Sequence, residues 1–233
     1  MKVAVFSLED FPLGKMSFSD ERLAHLKEIF KSKKATPLQI DFVPIDEVKD
    51  AEVVLSKEEK KTDLVLTDLE YVQDRLTKDV PQEEKALFTK AKDVLEKEDF
   101  LSKYLNIEEL KILKGFPLLT ILPVYLIKDD INFDLSPEIL KEIYYASGRI
   151  YFFTGGERES RMWSIRNGVT ALEAAGCIHS DIQRGFIRAE VVSADDIVKA
   201  GHYNQVKNEG KVRLEEKDYV VQDGDYILFR ANK

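Results

Sequence analysis

Two apolar periods alternate along this chain. Lys2 to Leu8, KVAVFSL, is an apolar run rich in β-branched and aromatic side chains and reads as a buried strand. Glu9 to Ser19 is a loop containing Pro12 and Gly14. Asp20 caps a helix whose apolar stripe is Leu23, Leu26, Ile29 and Phe30, ended by Lys31, Lys33, Lys34 and Pro37. Leu38, Ile40 and Phe42 alternate with polar neighbours as a second strand, and Ala51 to Leu55 is a weaker third. From Thr62 to Lys114 the period is helical. Leu64, Leu66, Leu69, Val72 and Leu76 form one stripe. A second begins after Pro81 with Ala86, Leu87, Ala91 and Leu95, and Ile107, Leu110 and Leu113 mark a short third helix. Two long charged helices joined near Val80 predict an antiparallel hairpin. Leu118 to Ile127 reads as another buried strand, and Ser136-Pro137 opens a helix that ends at Gly148.

Beyond Gly148 the elements shorten. Arg149–Thr154 and Arg161–Arg166 read as strands around Gly155-Gly156, and Asn167-Gly168 turns the chain. Thr170 and Glu173 form a capping box for a short helix with Gly176 as its stop. A polar connector, Cys177 to Gln183, leads to a strand from Arg184 to Val192. That strand sets Phe186, Arg188, Glu190 and Val192 on one face and Ile187, Ala189 and Val191 on the other. A helix from Ser193 to Gly201 follows. Val212–Leu214, Tyr219–Val221 and Tyr226–Arg230 are then short strands, the last two joined at Asp223-Gly224. A sheet wrapped around small helices is a β-grasp, or ubiquitin-like, arrangement. The predicted architecture is an α/β domain over residues 1–148, with a helical hairpin at about 62–114, followed by an α+β β-grasp domain over 149–233.

The 233 residues, 44% hydrophobic and 33% charged, suit a globular protein with a sizeable core. The longest apolar stretch, Phe116 to Ile127, is interrupted by Pro117 and Pro123 and is too short to span a bilayer. Neither a membrane-bound protein nor a signal peptide is expected, and a cytoplasmic location is. The lone Cys177 excludes an internal disulfide and a multi-cysteine zinc site. Residues 149–233 carry 13 basic and 13 acidic side chains, so the whole net charge of −8 falls on residues 1–148. Such a chain has no bulk attraction for nucleic acid; DNA is not an expected partner, and RNA contact needs a local patch.

The run GRIYFFTGGERESRMWSIRNGVTALEAAGCIHSDIQRGFIRAEVV, followed by GKVRLEEKDYVVQDGDYILFR, closely resembles the C-terminal TGS (DUF933-type) region of the YchF-type, Obg-like ATPases. Upstream the resemblance is weaker. Asp20 to Lys34 looks like that family's helix before its first switch, Thr62 to Leu76 like the start of its helical insert, and Leu118 to Ile127 like the strand before its base-reading loop. The chain departs from the family where phosphates and metal are held. The family's phosphate loop, G-x-x-x-x-G-K-[ST], is here SLEDFPLGKMS. Gly14 and Lys15 remain, Glu9 takes the first glycine's place, and Met16 takes that of the Mg²⁺-binding hydroxyl. Pro44-Ile45-Asp46-Glu47 replaces D-x-x-G, and Asp129-Asp130-Ile131-Asn132 replaces N-x-x-E. Phosphoryl transfer rests on positioning and metal electrostatics. The expectation from these departures is a chain that is not an enzyme, holds no cofactor, and keeps a recognition role.

Individual residues carry two readings each. Gly14 and Lys15 are relic phosphate ligands, or a plain solvated loop. His179 contacts RNA, or fixes its own connector by bonding backbone or Asp181. Arg161, Arg166, Arg184 and Arg188 form a phosphate-contacting patch, or pair with neighbours such as Glu173 and Glu190. Trp163 and Phe186 read as core, and Cys177 as a small buried apolar residue. The resemblance implies association with the ribosome or RNA in translation. Two alternatives stay open: weak binding of ATP or GTP in the remnant cleft, and a protein partner on the helical hairpin or β-grasp surface.

Overall fold

The computed structural model describes residues 1–128 and 135–232. They divide into two compact units. The first holds residues 1–16 and 40–147, the second residues 17–39 and 148–233. Contrary to a single cut near residue 148, the segment 17–39 groups with the C-terminal unit.

The first sheet contains β1 (Lys2–Val5), β2 (Gly14–Phe18), β4 (Leu38–Pro44), β5 (Val53–Lys57) and β6 (Val124–Ile127); β3 belongs to the second sheet. The order is β2-β4-β1-β5-β6. Strand β1 pairs in parallel with both β4 and β5, and β5 in parallel with β6. Val3 and Ala4 are fully buried, because a central parallel strand is covered on both faces and so reads as an unbroken apolar run. The helical hairpin is α2 (Lys61–Leu76) and α3 (Gln82–Leu95), continued by α4 (Leu101–Tyr104) and α5 (Ile107–Leu113). Leu64, Val65 and Val72 of α2 share one core with Leu87, Phe88, Ala91 and Leu95 of α3.

The strand expected over Leu118–Ile127 is shorter and begins at Val124. The fully buried carboxylate of Asp68, on α2, accepts the amides of Leu119 and Thr120 at 2.8 and 2.7 Å and the Thr120 hydroxyl at 2.6 Å. Those amides are therefore spent on a side chain rather than on a ladder, and Pro117 and Pro123 bring none of their own. In the same unit α6 (Pro137–Ala146) starts at the Ser136 cap.

The second unit opens with α1 (Glu21–Ile29) and β3 (Lys34–Thr36). Its other strands are β7 (Arg149–Thr154), β8 (Glu159–Arg166), β9 (Phe186–Ser193), β10 (Arg213–Glu215) and β11 (Asp225–Ala231). Its other helices are α7 (Ala171–Ile178), α8 (Ser180–Arg184), α9 (Ala194–Ala200) and α10 (Tyr203–Asn208). The sheet order is β10-β9-β11-β7-β8-β3. β8 and β9 run antiparallel to their neighbours β7 and β11, while β11 and β7 are parallel, as are β3 and β8. One face packs Phe152, Ile165, Val191 and Ile227 against Ala171 and Ala174 of α7. On the other, Phe30, at the end of α1, stacks on Tyr226 of β11 at 5.1 Å, and Tyr226 meets Tyr203 of α10 at 5.5 Å.

Several expectations are corrected here. Helix α7 does not stop at Gly176 but runs to Ile178. A Cβ at Gly176 would lie 2.8 Å from the end of the Gln183 side chain, which would have to move aside. The connector contains α8, capped by His179, so the following strand starts at Phe186 rather than Arg184. Tyr219–Val221 makes only the isolated bridge Thr170↔Val220. Cys177 is exposed rather than buried. Strands β2 and β3 and helix α10 were not anticipated: each is only three to six residues long, too short for an apolar period to show.

Candidate functional site

In an open parallel sheet, ligands meet the chain beyond the carboxyl ends of the strands. At the end of β1 the segment Phe6–Leu13 forms a filled turn. The Phe11 amide donates to the Leu8 carbonyl, and the Phe11 ring is buried 5.1 Å from the Phe42 ring. Ser7 and Asp10 take left-handed φ values of 49° and 60°. The expected loop ligands Gly14 and Lys15 lie beyond this turn in strand β2, with Lys15 exposed; the helix that follows starts only at Glu21. A phosphate cradle of the Gly-Lys type sits at a helix N-terminus, so this pair is not placed as that motif requires. At the end of β4, Ile45–Asp50 forms a 3₁₀ helix where D-x-x-G was sought. The Asp129–Asn132 segment lies outside the described residues.

Between the β4–β5 connection and the base of the helical hairpin is a cleft of about 450 Å³. Phe6, Ile45 and Val48 form one side, and Phe116, Ile121 and Leu122, at the base of the hairpin, form the other. Thr67 of α2, Asp46, Lys49 and Lys114 also line it, with Pro117, Leu118 and Leu119. None of these residues was singled out from the sequence as a ligand contact: they come from four separate stretches, and only the fold brings them together. Among the described residues, no group of three or more His, Cys, Asp or Glu is placed to hold a metal ion.

In the second unit the four candidate arginines do not converge. Arg161 stacks its guanidinium 4.1 Å over the Trp163 ring, on the sheet face that carries Phe152. Arg166 is five residues further along β8 and so points to the opposite face. It lies across from Arg149, the first residue of β7. Arg188 shares the face of Arg166 but lies across from Arg230, near the end of β11. β11 runs parallel to β7, so Arg166 and Arg188 occupy opposite ends of the sheet. Arg184 lies in α8, not on β9, and pairs with Asp181; Arg188 pairs with Glu216 at 3.4 Å. His179 accepts the Asp181 amide through Nδ1 at 3.1 Å, the local bond that caps α8.

Two polar networks in this unit were missed in the sequence. Asp20 accepts Arg22 Nε at 2.8 Å and the Tyr151 hydroxyl at 2.7 Å, while Arg22 also reaches Asp195 at 2.9 Å. Burial opposes the charge on Asp20, but these hydrogen bonds outweigh it and hold the carboxyl well below the usual carboxylate range. Glu190, 2% exposed, accepts the Tyr203 hydroxyl at 2.6 Å and a guanidinium hydrogen bond from Arg230, with Lys207 at 3.5 Å. Burial, then this bond to Glu190, pushes the Tyr203 phenol far up. Its only signal in the sequence is an acidic residue in the middle of an apolar strand, the pattern of a buried charge that must find partners.

Residues 150–232 match the model of a family described as YchF-GTPase_C, protein of unknown function (DUF933). The ribosome-binding ATPase YchF of Bacillus subtilis is 50% identical over 95 residues, covering 41% of this chain and 26% of that protein. Obg-like ATPase 1 of Oryza sativa subsp. japonica is 50% identical over 96 residues, covering 41% and 24%. The match thus spans about a quarter of the length of these curated relatives. The Schizosaccharomyces pombe YchF GTPase superposes with a TM-score of 0.78 at 18% identity, over 99% of this chain and 97% of that one, a likeness of fold. The expectation that the chain is not an enzyme is overturned by these relatives: they are named ATPases, and the structural match a GTPase, which points to an enzyme family. Residues 150–232 are thus similar to the C-terminal region of the YchF-type, Obg-like ATPases, and the fold around that region is the one seen in the S. pombe YchF GTPase.

Proposed function

We propose that this chain is a ribosome-associated protein that binds ATP or GTP, and that its C-terminal unit makes the ribosomal contact. The observation that carries the reading is the 50% identity between this region and a ribosome-binding ATPase. The finer reading is that residues 149–233 form a β-grasp of the TGS kind; a mixed sheet wrapped on α7 supports it. RNA contact then runs through separate positions, Arg166 at one end of the sheet and Arg184 and Arg188 at the other, rather than through one basic patch. The test is co-sedimentation with ribosomes from about 50 to about 200 mM salt, where phosphate contacts weaken as salt rises. Salt-sensitive binding is expected, and no co-sedimentation at the lowest salt sinks the reading. Calorimetry with ATP and GTP, with and without Mg²⁺, tests the nucleotide half separately.

A protein partner on the helical hairpin is the second reading, favoured by Ile107 and Ile112 of α5, which are 71% and 57% exposed. The double change Ile107→Asp and Ile112→Asp leaves ribosome binding intact if the C-terminal unit carries it. Loss of binding moves the contact to the hairpin.

A further inference from the structure

Asn167 is followed by Gly168, and Asp223 by Gly224; each of these dipeptides occurs once in the chain. A glycine after asparagine or aspartate lets the chain attack itself, because a residue without a Cβ can swing its backbone nitrogen onto the side-chain carbonyl carbon of the residue before it. A five-membered imide closes. With asparagine the side-chain nitrogen leaves as ammonia; with aspartate an oxygen leaves as water. The sequence offers two such places, and the fold treats them in opposite ways.

At Asp223 both reacting groups are engaged. The Gly224 amide donates to the Tyr151 carbonyl at 2.9 Å, and Asp223 Oδ1 accepts the Tyr151 amide at 3.1 Å. Gly224 is also packed: a Cβ there would fall 2.6 Å from the Arg22 guanidinium. Ring closure has to break hydrogen bonds on both partners. At Asn167 neither group is engaged. Asn167 and Gly168 are both exposed, and among the described residues neither the Asn167 side chain nor the Gly168 amide makes a hydrogen bond. The turn is closed by the Val169 amide on the Arg166 carbonyl at 3.3 Å, with Gly168 at φ 89°, the glycine position of a type II turn. A Cβ built on Gly168 meets nothing within 4 Å. The Asn167 amide is anchored to the Gly148 carbonyl at 3.1 Å, which leaves the Gly168 peptide as the part free to rotate.

We infer that Asn167 is a site of spontaneous deamidation through an imide with Gly168, and that the fold protects Asp223-Gly224 from the equivalent reaction. The Gly168 nitrogen forms a bond to Asn167 Cγ, the bond from Cγ to Nδ2 breaks, and ammonia leaves with the proton that the Gly168 amide gives up. Water then opens the ring at either carbonyl, leaving aspartate or isoaspartate. Both products place a new carboxylate next to Arg166, which lies across from Arg149, and isoaspartate lengthens the backbone of the turn between β8 and α7. The inference goes beyond the ribosomal and nucleotide readings and depends on neither.

The test ages the full chain in warm, mildly alkaline buffer and maps its peptides by mass spectrometry, with electron-transfer fragmentation to tell aspartate from isoaspartate. Asn167 should exchange NH2 for OH ahead of every other asparagine, while Asp223 stays aspartate. Asp223→Asn gives the second turn the same dipeptide as the first, and its Oδ1 can still accept the Tyr151 amide. In the folded variant this asparagine should deamidate at least about tenfold more slowly than Asn167, since two hydrogen bonds must open first. In urea the two should react at similar rates. A thermal melt shows that the variant is folded, and isoaspartate formation at Asp223 of the unaltered chain, in buffer against urea, gives the same comparison without a variant. Asn167 intact while another asparagine deamidates, or Asp223 isomerising as fast in the folded chain as in urea, overturns the inference.

Discussion

Two of the buried carboxylates, Asp68 and Asp20, have opposite signatures. Asp68 is fully buried, and burial pushes its carboxyl up despite three hydrogen bonds. Asp68→Ala leaves two buried amides without an acceptor and should cost about 3 kcal/mol in chemical denaturation. It should also loosen the 118–122 segment, which lines the cleft. Asp20 is the opposite case, held below its ordinary range by Arg22 and Tyr151. A depressed carboxyl stabilises the fold fully above its unfolded value, about 3.9, and that contribution fades as pH falls through it toward the folded value. Asp20→Asn should therefore destabilise most at pH 7 and somewhat less near pH 3, with the difference continuing to shrink at lower pH. Urea midpoints of the two proteins at both pH values give the answer; an unchanged gap would remove the ionised carboxylate from the account.

At the level of elements, α1 and β3 are parts of the C-terminal sheet domain that happen to lie early in the chain. Ser32, between them, donates to the Gly156 carbonyl at 2.6 Å and meets buried Ser160 at 2.8 Å. Phe30 lies so close to the β7–β8 turn that a Cβ on Gly155 would fall 2.6 Å from its ring. Gly155→Ala should cost about 1–3 kcal/mol through this overlap, and Gly155→Val more. Pairing Gly155→Ala with Phe30→Leu should recover part of the loss, since it trims the clashing ring; thermal melts of the single and double variants decide it. Helix α1 is legible in the sequence from its Asp20 cap and apolar stripe, and its partners are not. The stripe states that the helix is covered, and Leu23 and Leu26 carry no record of which sheet covers them.

For the molecule as a whole, this arrangement means that the C-terminal unit is not a contiguous stretch. A fragment beginning at Gly148 lacks the cover that α1 and β3 give to β7, β8 and β11, and leaves Tyr226 without its stacked partner. We expect that fragment to melt at lower temperature and with less cooperativity than the same unit in the full chain, and a peptide spanning residues 17–39 to restore it in trans. A fragment already as stable without the peptide would refute the division. The candidate sites follow the same logic. Arg161, Arg166, Arg184 and Arg188 are individually conspicuous in the sequence, but strand parity and the parallel β7–β11 pairing send them to different faces and ends. The cleft runs the other way: Phe6, Val48, Lys114 and Ile121 are unremarked in the sequence and meet in space.

What the sequence determined by itself is whatever depends on neighbours within a turn or two. Apolar period fixed most helices and the buried strands β1, β4 and β5; the caps at Asp20 and Ser136 and the capping box at Thr170 fixed where three helices begin. Residues 149–233 also carry a run whose resemblance to the C-terminal region of the YchF-type ATPases is legible without the fold. The tertiary structure alone decided which sheet α1 joins, that Asp68 takes the amides a strand would have used, that Gly14 and Lys15 lie in an extended edge strand, and which lysines face the cleft. These choices turn on contacts between residues tens to more than a hundred positions apart, and a local pattern is compatible with every one of their alternatives.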